Sequence, residues 1–216
     1  MNNYVKYMFL LAISIYLYDI KQQIKIFRLL KPMERIWNYV HYFIYQFERN
    51  ASKIITYPIT LIFDLIYKIP FIINVLKKKN SSPQEIRVAS ENALNNRVYG
   101  QNIIISGIQM GGLIILLEYG LFNIFQAIIG KSLIQIFWEP GSPYKWIFII
   151  GLLVMPWIIN EKLLFKNDKY LKYFDEFDKE PKKIRHKWAW ISFGIVVGIL
   201  SFFILSFVLI TNVSMD

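Results

Sequence analysis

Residues 188–210, WAWISFGIVVGILSFFILSFVLI, run for 23 positions without one charged side chain. The hydrocarbon core of a bilayer is about 30 Å thick, so a helix needs roughly 20 mostly apolar residues to cross it. Lipid offers no hydrogen bonds to a bare backbone, which leaves an α-helix as the natural conformation for such a run. Two tryptophans at its start, Trp188 and Trp190, suit the headgroup boundary. The pattern is that of a membrane-crossing helix rather than of a helix buried in a soluble core.

Two more segments reach spanning length. Residues 144–165 open with YKWIFIIGLLVMPWIIN and are interrupted by Glu161 and Lys162, with Pro156 placed to kink the helix near that end. Residues 102–129 are long enough to cross with tilt. A fourth span is offered by residues 4–20, YVKYMFLLAISIYLYDI, as a minimal signal anchor, with a helix lying at the interface as the alternative.

The cations set an orientation. The chain holds 25 Lys and Arg against 15 Asp and Glu, a net +10, and a basic, greasy chain points to an anionic membrane before nucleic acid. Nine of the 25 fall in residues 162–187 and two in residues 130–145. Short loops on the cytoplasmic or matrix side collect Lys and Arg, so residues 20–101 and 162–187 are expected inside, and the 130–145 hairpin and the C-terminus outside. The location expected is a bacterial inner membrane or an organellar inner membrane.

Residues 54–76, IITYPITLIFDLIYKIPFIINVL, also have the length to span, yet Lys77, Lys78 and Lys79 follow and Pro58 and Pro70 interrupt. Asp64 and Lys68 stand four apart, on one face of a continuous helix. The segment reads as a surface-lying or re-entrant amphipathic helix, with a true span as its rival. The aromatic run 36–47, IWNYVHYFIYQF, suits the headgroup zone, with His41 as an interfacial ring. Ser82-Pro83 followed by Glu85 predicts a helix start, and Gly100 its end.

These readings add up to an all-α, polytopic integral membrane protein with three or four transmembrane helices plus interfacial amphipathic helices. A basic N-terminal region, 1–101, precedes a membrane domain, 102–216.

Within the inner loop, Asp168 with Lys172 and Asp175 with Lys179 form acid-first pairs four apart, and Tyr170, Leu171, Phe174 and Phe177 form an apolar side to rest on lipid or on a partner. Lys182, Lys183, Arg185, His186 and Lys187 precede the last span, and a basic cluster there attracts anionic lipid, as do Lys77, Lys78 and Lys79. Nucleic acid is not an expected partner, since no recognition helix, RNP motif or zinc finger accompanies the charge.

The stretch GIQMGGLIILLE at 107–118 carries the sharpest lead. Gly107 and Gly111 form a G-x-x-x-G pair, as do Gly194 and Gly198, and small residues let membrane helices pack closely. Glu118 falls near the same face as Gly107 and Gly111, and an acid inside a membrane is expected to face a bundle interior and to act as a proton or cation site, or as an interhelical hydrogen-bond donor when protonated, unless the helix end leaves it wetted.

The chain has no cysteine, which excludes disulfides, thiolate metal sites and thiol nucleophiles, and its two histidines lie far apart; no metal and no cofactor is expected. Neither a Walker loop, a dinucleotide fingerprint, a G-x-S-x-G elbow nor H-E-x-x-H is present. The leading expectation is a non-catalytic integral membrane subunit, or an assembly or anchoring element, of a larger membrane complex, with lipids and other membrane subunits as partners. The alternatives are an ion- or proton-conducting component using Glu118, with Asp64 and Lys68, and a membrane-embedded lipid-modifying enzyme.

Overall fold

The structure is a computed structural model that describes residues 31–212 in full and the helical backbone alone for residues 3–30, so the signal-anchor expectation for residues 4–20 lies outside the fully described residues. The chain divides into two units between Trp37 and Asn38. Every regular element among the described residues is helical: α1 (Asn3–Ile66), α2 (Pro70–Lys78), α3 (Pro83–Asn95), α4 (Gln101–Ile129), α5 (Leu133–Trp138), α6 (Tyr144–Asn160), α7 (Lys169–Lys179) and α8 (Lys182–Asn212).

Three stretches are long and apolar enough to cross a membrane: Gln101–Ile129, the stretch within Tyr144–Lys179, and Lys182–Asn212. A fourth is reached when α1 and α2 are taken as one broken segment; they meet at 91°. Pro70 marks the break, while Pro58 lies inside α1 without ending it. The residue before a proline avoids the helical region, so α1 stops at Ile66 and α2 restarts with Pro70 in its first turn, where a missing N–H costs nothing. Lys68 therefore falls in the turn rather than one helical turn above Asp64, and Asp64 pairs with Arg87 of α3 at 3.9 Å. The expected Asp64–Lys68 face does not form.

α3 begins as its sequence predicts. Ser82 accepts from the Glu85 backbone N–H (3.2 Å) and the Glu85 carboxylate accepts from the Ser82 N–H (2.8 Å), a reciprocal cap worth about 1 kcal/mol. Its end differs from expectation. The helix stops at Asn95, because the Asn96 side chain accepts from the backbone N–H groups of Val98 and Tyr99 and turns the chain; Gly100 instead opens α4. A Cβ at Gly100 would stand 2.4 Å from the Asn96 carbonyl, so only glycine fits there.

α4 is the central helix, with α6 and α8 beside it. At one end Asn123 donates to Ser206 of α8 (3.0 Å), and Gln126 accepts the Ile134 N–H of α5 (3.0 Å). Gly120 brings α4 against Phe202, where a Cβ would stand 2.6 Å from the ring. Phe137 stacks on Phe148 (5.0 Å) at this end, while Tyr144 and Trp146 are exposed. The EPGSP turn at 139–143 closes with the Ser142 N–H on the Glu139 carbonyl (3.0 Å).

The opposite end gathers the 38–49 part of α1, the starts of α4 and α8, and α7. α6 runs past its inner proline, Pro156, into a loosened π-helical turn at Glu161–Phe165. Asn167 and Asp168, at φ 59° and 53°, then reverse the chain into α7. Both take the left-handed region that Asn and Asp tolerate better than most residues.

Candidate functional site at the basic end of the bundle

The 38–49 stretch of α1 is not a headgroup-zone surface, as its composition suggested. Tyr39, Val40, His41, Tyr42 and Tyr45 are buried, because the apolar side of α7 lies against them. The expectation that this side of α7 meets lipid or a partner is answered within the chain. Phe174 is fully buried, ringed by Tyr42, His41, Tyr45 and Tyr170 at centroid distances of 5.1, 5.2, 5.3 and 5.7 Å. Tyr39 is sandwiched between Phe177 (3.6 Å) and Trp188 (4.4 Å).

Polar bonds then lock α7 in place. The Arg97 guanidinium donates to Asp175 at 3.0 Å and to Asp178; the Tyr42 hydroxyl also donates to Asp178, and the Tyr39 hydroxyl to Glu180. Asp175 thus pairs across the fold with Arg97 instead of with its sequence neighbour Lys179. Tyr170 and Tyr45 donate to the carbonyls of Arg97 and Asn95, each at 3.0 Å. Burial alone would raise the Asp178 pKa, but hydrogen bonds from Tyr42 and Arg97 and the guanidinium charge hold it below the usual carboxylate value. Burial, with the Asp178 carboxylate next to it, pushes the Tyr42 phenol up.

His41 sits in the middle of this cap, outside the three single-helix spans. Its Nε2 lies 3.1 Å from the Ser106 Oγ, whose own hydrogen goes to the Ile103 carbonyl (2.9 Å). Nε2 is therefore the donor, and Nδ1 is bare, buried and without a hydrogen-bond partner among the described residues. Burial lowers the imidazole pKa from 6.5 to about 3. It is a core ring, contrary to the interfacial position expected.

Beside the cap runs a groove of about 450 Å³ between α1 and the first turns of α8. From α1 it is lined by Tyr42, Gln46 and Arg49, and from α8 by Lys182, Arg185 and Ser192. Those positions, with Ala189 between Arg185 and Ser192, recur at three- and four-residue spacing, which puts each set on one helix face. The basic cluster is thereby split. His186 also lines the groove, whereas Lys183 and Lys187 do not and are exposed. Trp190 donates its indole N–H to the His186 Nε2 (3.0 Å).

The remaining candidates are dispersed. Lys77 and Lys78 close α2 and Lys79 caps it, all exposed. Gly107 and Gly111 face α6 and the turn after it: Cβ atoms there would stand 3.2 Å from Phe165 and 3.7 Å from the Asn160 amide. Gly194 and Gly198 lie exposed on α8, with no atom of the described residues within 4 Å of the Cβ positions. Glu118 is half-buried, and its Oε1 is shielded without a hydrogen-bond partner among the described residues. Sequence reasoning did not single out Arg49 as a site residue, nor Ser192, Arg97, Asn123 or Gly120. The spacing 39, 42, 46, 49 carried the first of these, as a helix face shared with buried tyrosines.

Among the described residues no group of three His, Asp or Glu side chains is arranged to hold a metal ion. No protein-family model, curated protein or solved structure matches the chain.

Proposed function

We propose that this chain is a multi-pass integral membrane protein serving as a non-catalytic subunit, or an assembly or anchoring element, of a larger complex in a bacterial or organellar inner membrane, with its basic end on the cytoplasmic or matrix side. The observation that supports this reading is the free face of α8. Only 11% of its most apolar window is buried within the chain, and Gly194 and Gly198 lie on the open side. In lipid, close packing rather than a hydrophobic drive joins helices, and a small-residue face permits it. The inner-loop carboxylates, meanwhile, act as cross-links: Asp175, Asp178 and Glu180 each hold a side chain from another element.

Gentle detergent extraction followed by mass spectrometry is expected to show companion membrane proteins travelling with the wild-type chain. A Gly194→Leu, Gly198→Leu double variant is expected to lose them while keeping its own thermal midpoint, since no contact among the described residues is disturbed. A wild-type chain extracted alone would count against the reading.

A second reading, a conducting component, draws on Glu118, whose shielded and unpartnered oxygen is costly unless used. Glu118→Gln is expected to abolish proton or cation flux in reconstituted vesicles under that reading, and unchanged flux with intact assembly ends it. Asp64 lends it less support, being exposed and paired with Arg87.

A further inference from the structure

The groove between α1 and α8 holds more polar capacity than the chain itself uses. The Nε atoms of Arg49 and Arg185 and the Oγ of Ser192 are all buried without a hydrogen-bond partner among the described residues. Ser192 is 1% exposed and lines the groove. A buried donor left unpaired costs about 1–3 kcal/mol, and more when charged, so three such atoms around one groove mark a place where a ligand completes the bonding.

The charge selects the ligand. Arg49, Lys182 and Arg185 line the groove with Asp178, whose carboxylate is held by Tyr42 and by Arg97, which it shares with Asp175, and is also attracted by Arg185. The balance left over is cationic, and planar guanidinium groups match phosphate oxygens well. Geometry narrows it further. Lys182 precedes the apolar run and Ser192 lies within it, ten residues on, a rise of about 15 Å. The groove therefore passes from a charged mouth to an apolar depth beside Phe43 and Ala189, the polarity gradient of an amphiphile rather than of a free ion.

We propose that the groove binds the phosphate headgroup of an anionic membrane lipid, with Arg49, Lys182 and Arg185 on the phosphate oxygens and Ser192 on the ester oxygens beneath it. This differs from general adhesion of the basic patch to a charged surface: Arg49 comes from a different helix, and Lys183 and Lys187 take no part. The inference rests on the membrane placement given above, though not on any protein partner.

The test is a lipid titration of the purified full chain in neutral detergent, read by native mass spectrometry, with phosphatidic acid, phosphatidylglycerol and phosphatidylcholine as probes. Wild type is expected to hold one anionic lipid at least tenfold more tightly than phosphatidylcholine. Arg49→Gln and Arg185→Gln are each expected to lose that preference by tenfold or more, and Ser192→Ala severalfold, while Lys183→Gln with Lys187→Gln, which removes two charges outside the groove, leaves it unchanged. Thermal midpoints in the same detergent identify any variant that has lost its fold, and Ser192→Ala, which deletes only an unpartnered hydroxyl, carries the test in that case. Equal losses in the groove and control variants would mean diffuse charge attraction and overturn the proposal. Displacement of the lipid by an equimolar amount of inorganic phosphate would make the site one for free phosphate and overturn the lipid assignment. Loss of the lipid preference in a chain that still extracts with its companions leaves the subunit reading standing; a chain soluble without detergent removes both.

Discussion

Acidification from pH 6.5 toward pH 3 is expected to weaken the folded protein by on the order of 4 kcal/mol through His41 alone. The unfolded chain takes up a proton on this imidazole near its ordinary value of 6.5, whereas the folded chain resists until about 3. Between those values the unfolded state holds more protons, so stability rises with pH: it is fully present above 6.5 and declines steadily below it. The physical cause is complete burial among Phe165, Tyr170 and Phe174, where an imidazolium meets no counter-charge and Nδ1 no acceptor among the described residues. Asp178 acts in the same direction lower down, because its depressed carboxyl loses its contribution only as pH falls below the ordinary carboxylate range. His41→Gln keeps a donor for Ser106 and cannot titrate. Its thermal midpoint in detergent is expected to be flat between pH 6.5 and 5, where the wild type declines. A variant that declines in parallel with the wild type would assign the acid sensitivity elsewhere.

What the sequence made legible follows from the range of the forces involved. The spans declare themselves because the bilayer acts on every residue of a helix alike, so a run such as 188–210 needs no knowledge of its neighbours. The Ser82–Glu85 cap is as local and was equally readable. The Gly107–Gly111 face meets the end of α6 and the turn after it through Asn160 and Phe165, a contact that depends on which helix arrives; the same motif at Gly194 and Gly198 meets nothing among the described residues. Local spacing could not distinguish the two. The cap was harder still. Arg97, Tyr39 and Tyr42 reach Asp175, Asp178 and Glu180 across sequence separations of 78 to 141 residues, and i, i+4 arithmetic offered Asp175 a nearer partner in Lys179. His41 was misplaced for the same reason: an aromatic helix looks identical in sequence whether lipid headgroups or α7 cover it.

Phe174→Ala is expected to have the largest effect of any single truncation in the cap, about 3–5 kcal/mol, the range for removing a fully buried phenyl ring. The site cannot collapse easily. Phe174 stands at the junction of His41, Tyr42, Tyr45 and Tyr170, and each of those rings is held from its other end by a hydrogen bond, to Ser106, Asp178, the Asn95 carbonyl and the Arg97 carbonyl. Rings tethered in this way cannot tilt into the void without breaking those bonds, so most of the cavity cost persists. The damage is nevertheless expected to stay at the basic end. Contacts between α4 and α8 at the far end, the Asn123–Ser206 bond and Gly120 against Phe202, share no residue with the cap, and sites so separated respond independently. Helical content should therefore survive while protease cleavage within residues 166–181 accelerates and anionic lipid dissociates, because α7 carries the Asp178 that positions Tyr42 at the groove. Phe174→Leu, which refills much of the space, is expected to recover more than half of the loss. Cleavage that stays at the wild-type rate in Phe174→Ala would show that α7 is held by its ion pairs instead, and the Arg97 contacts to Asp175 and Asp178 would then be the bonds that anchor the inner loop.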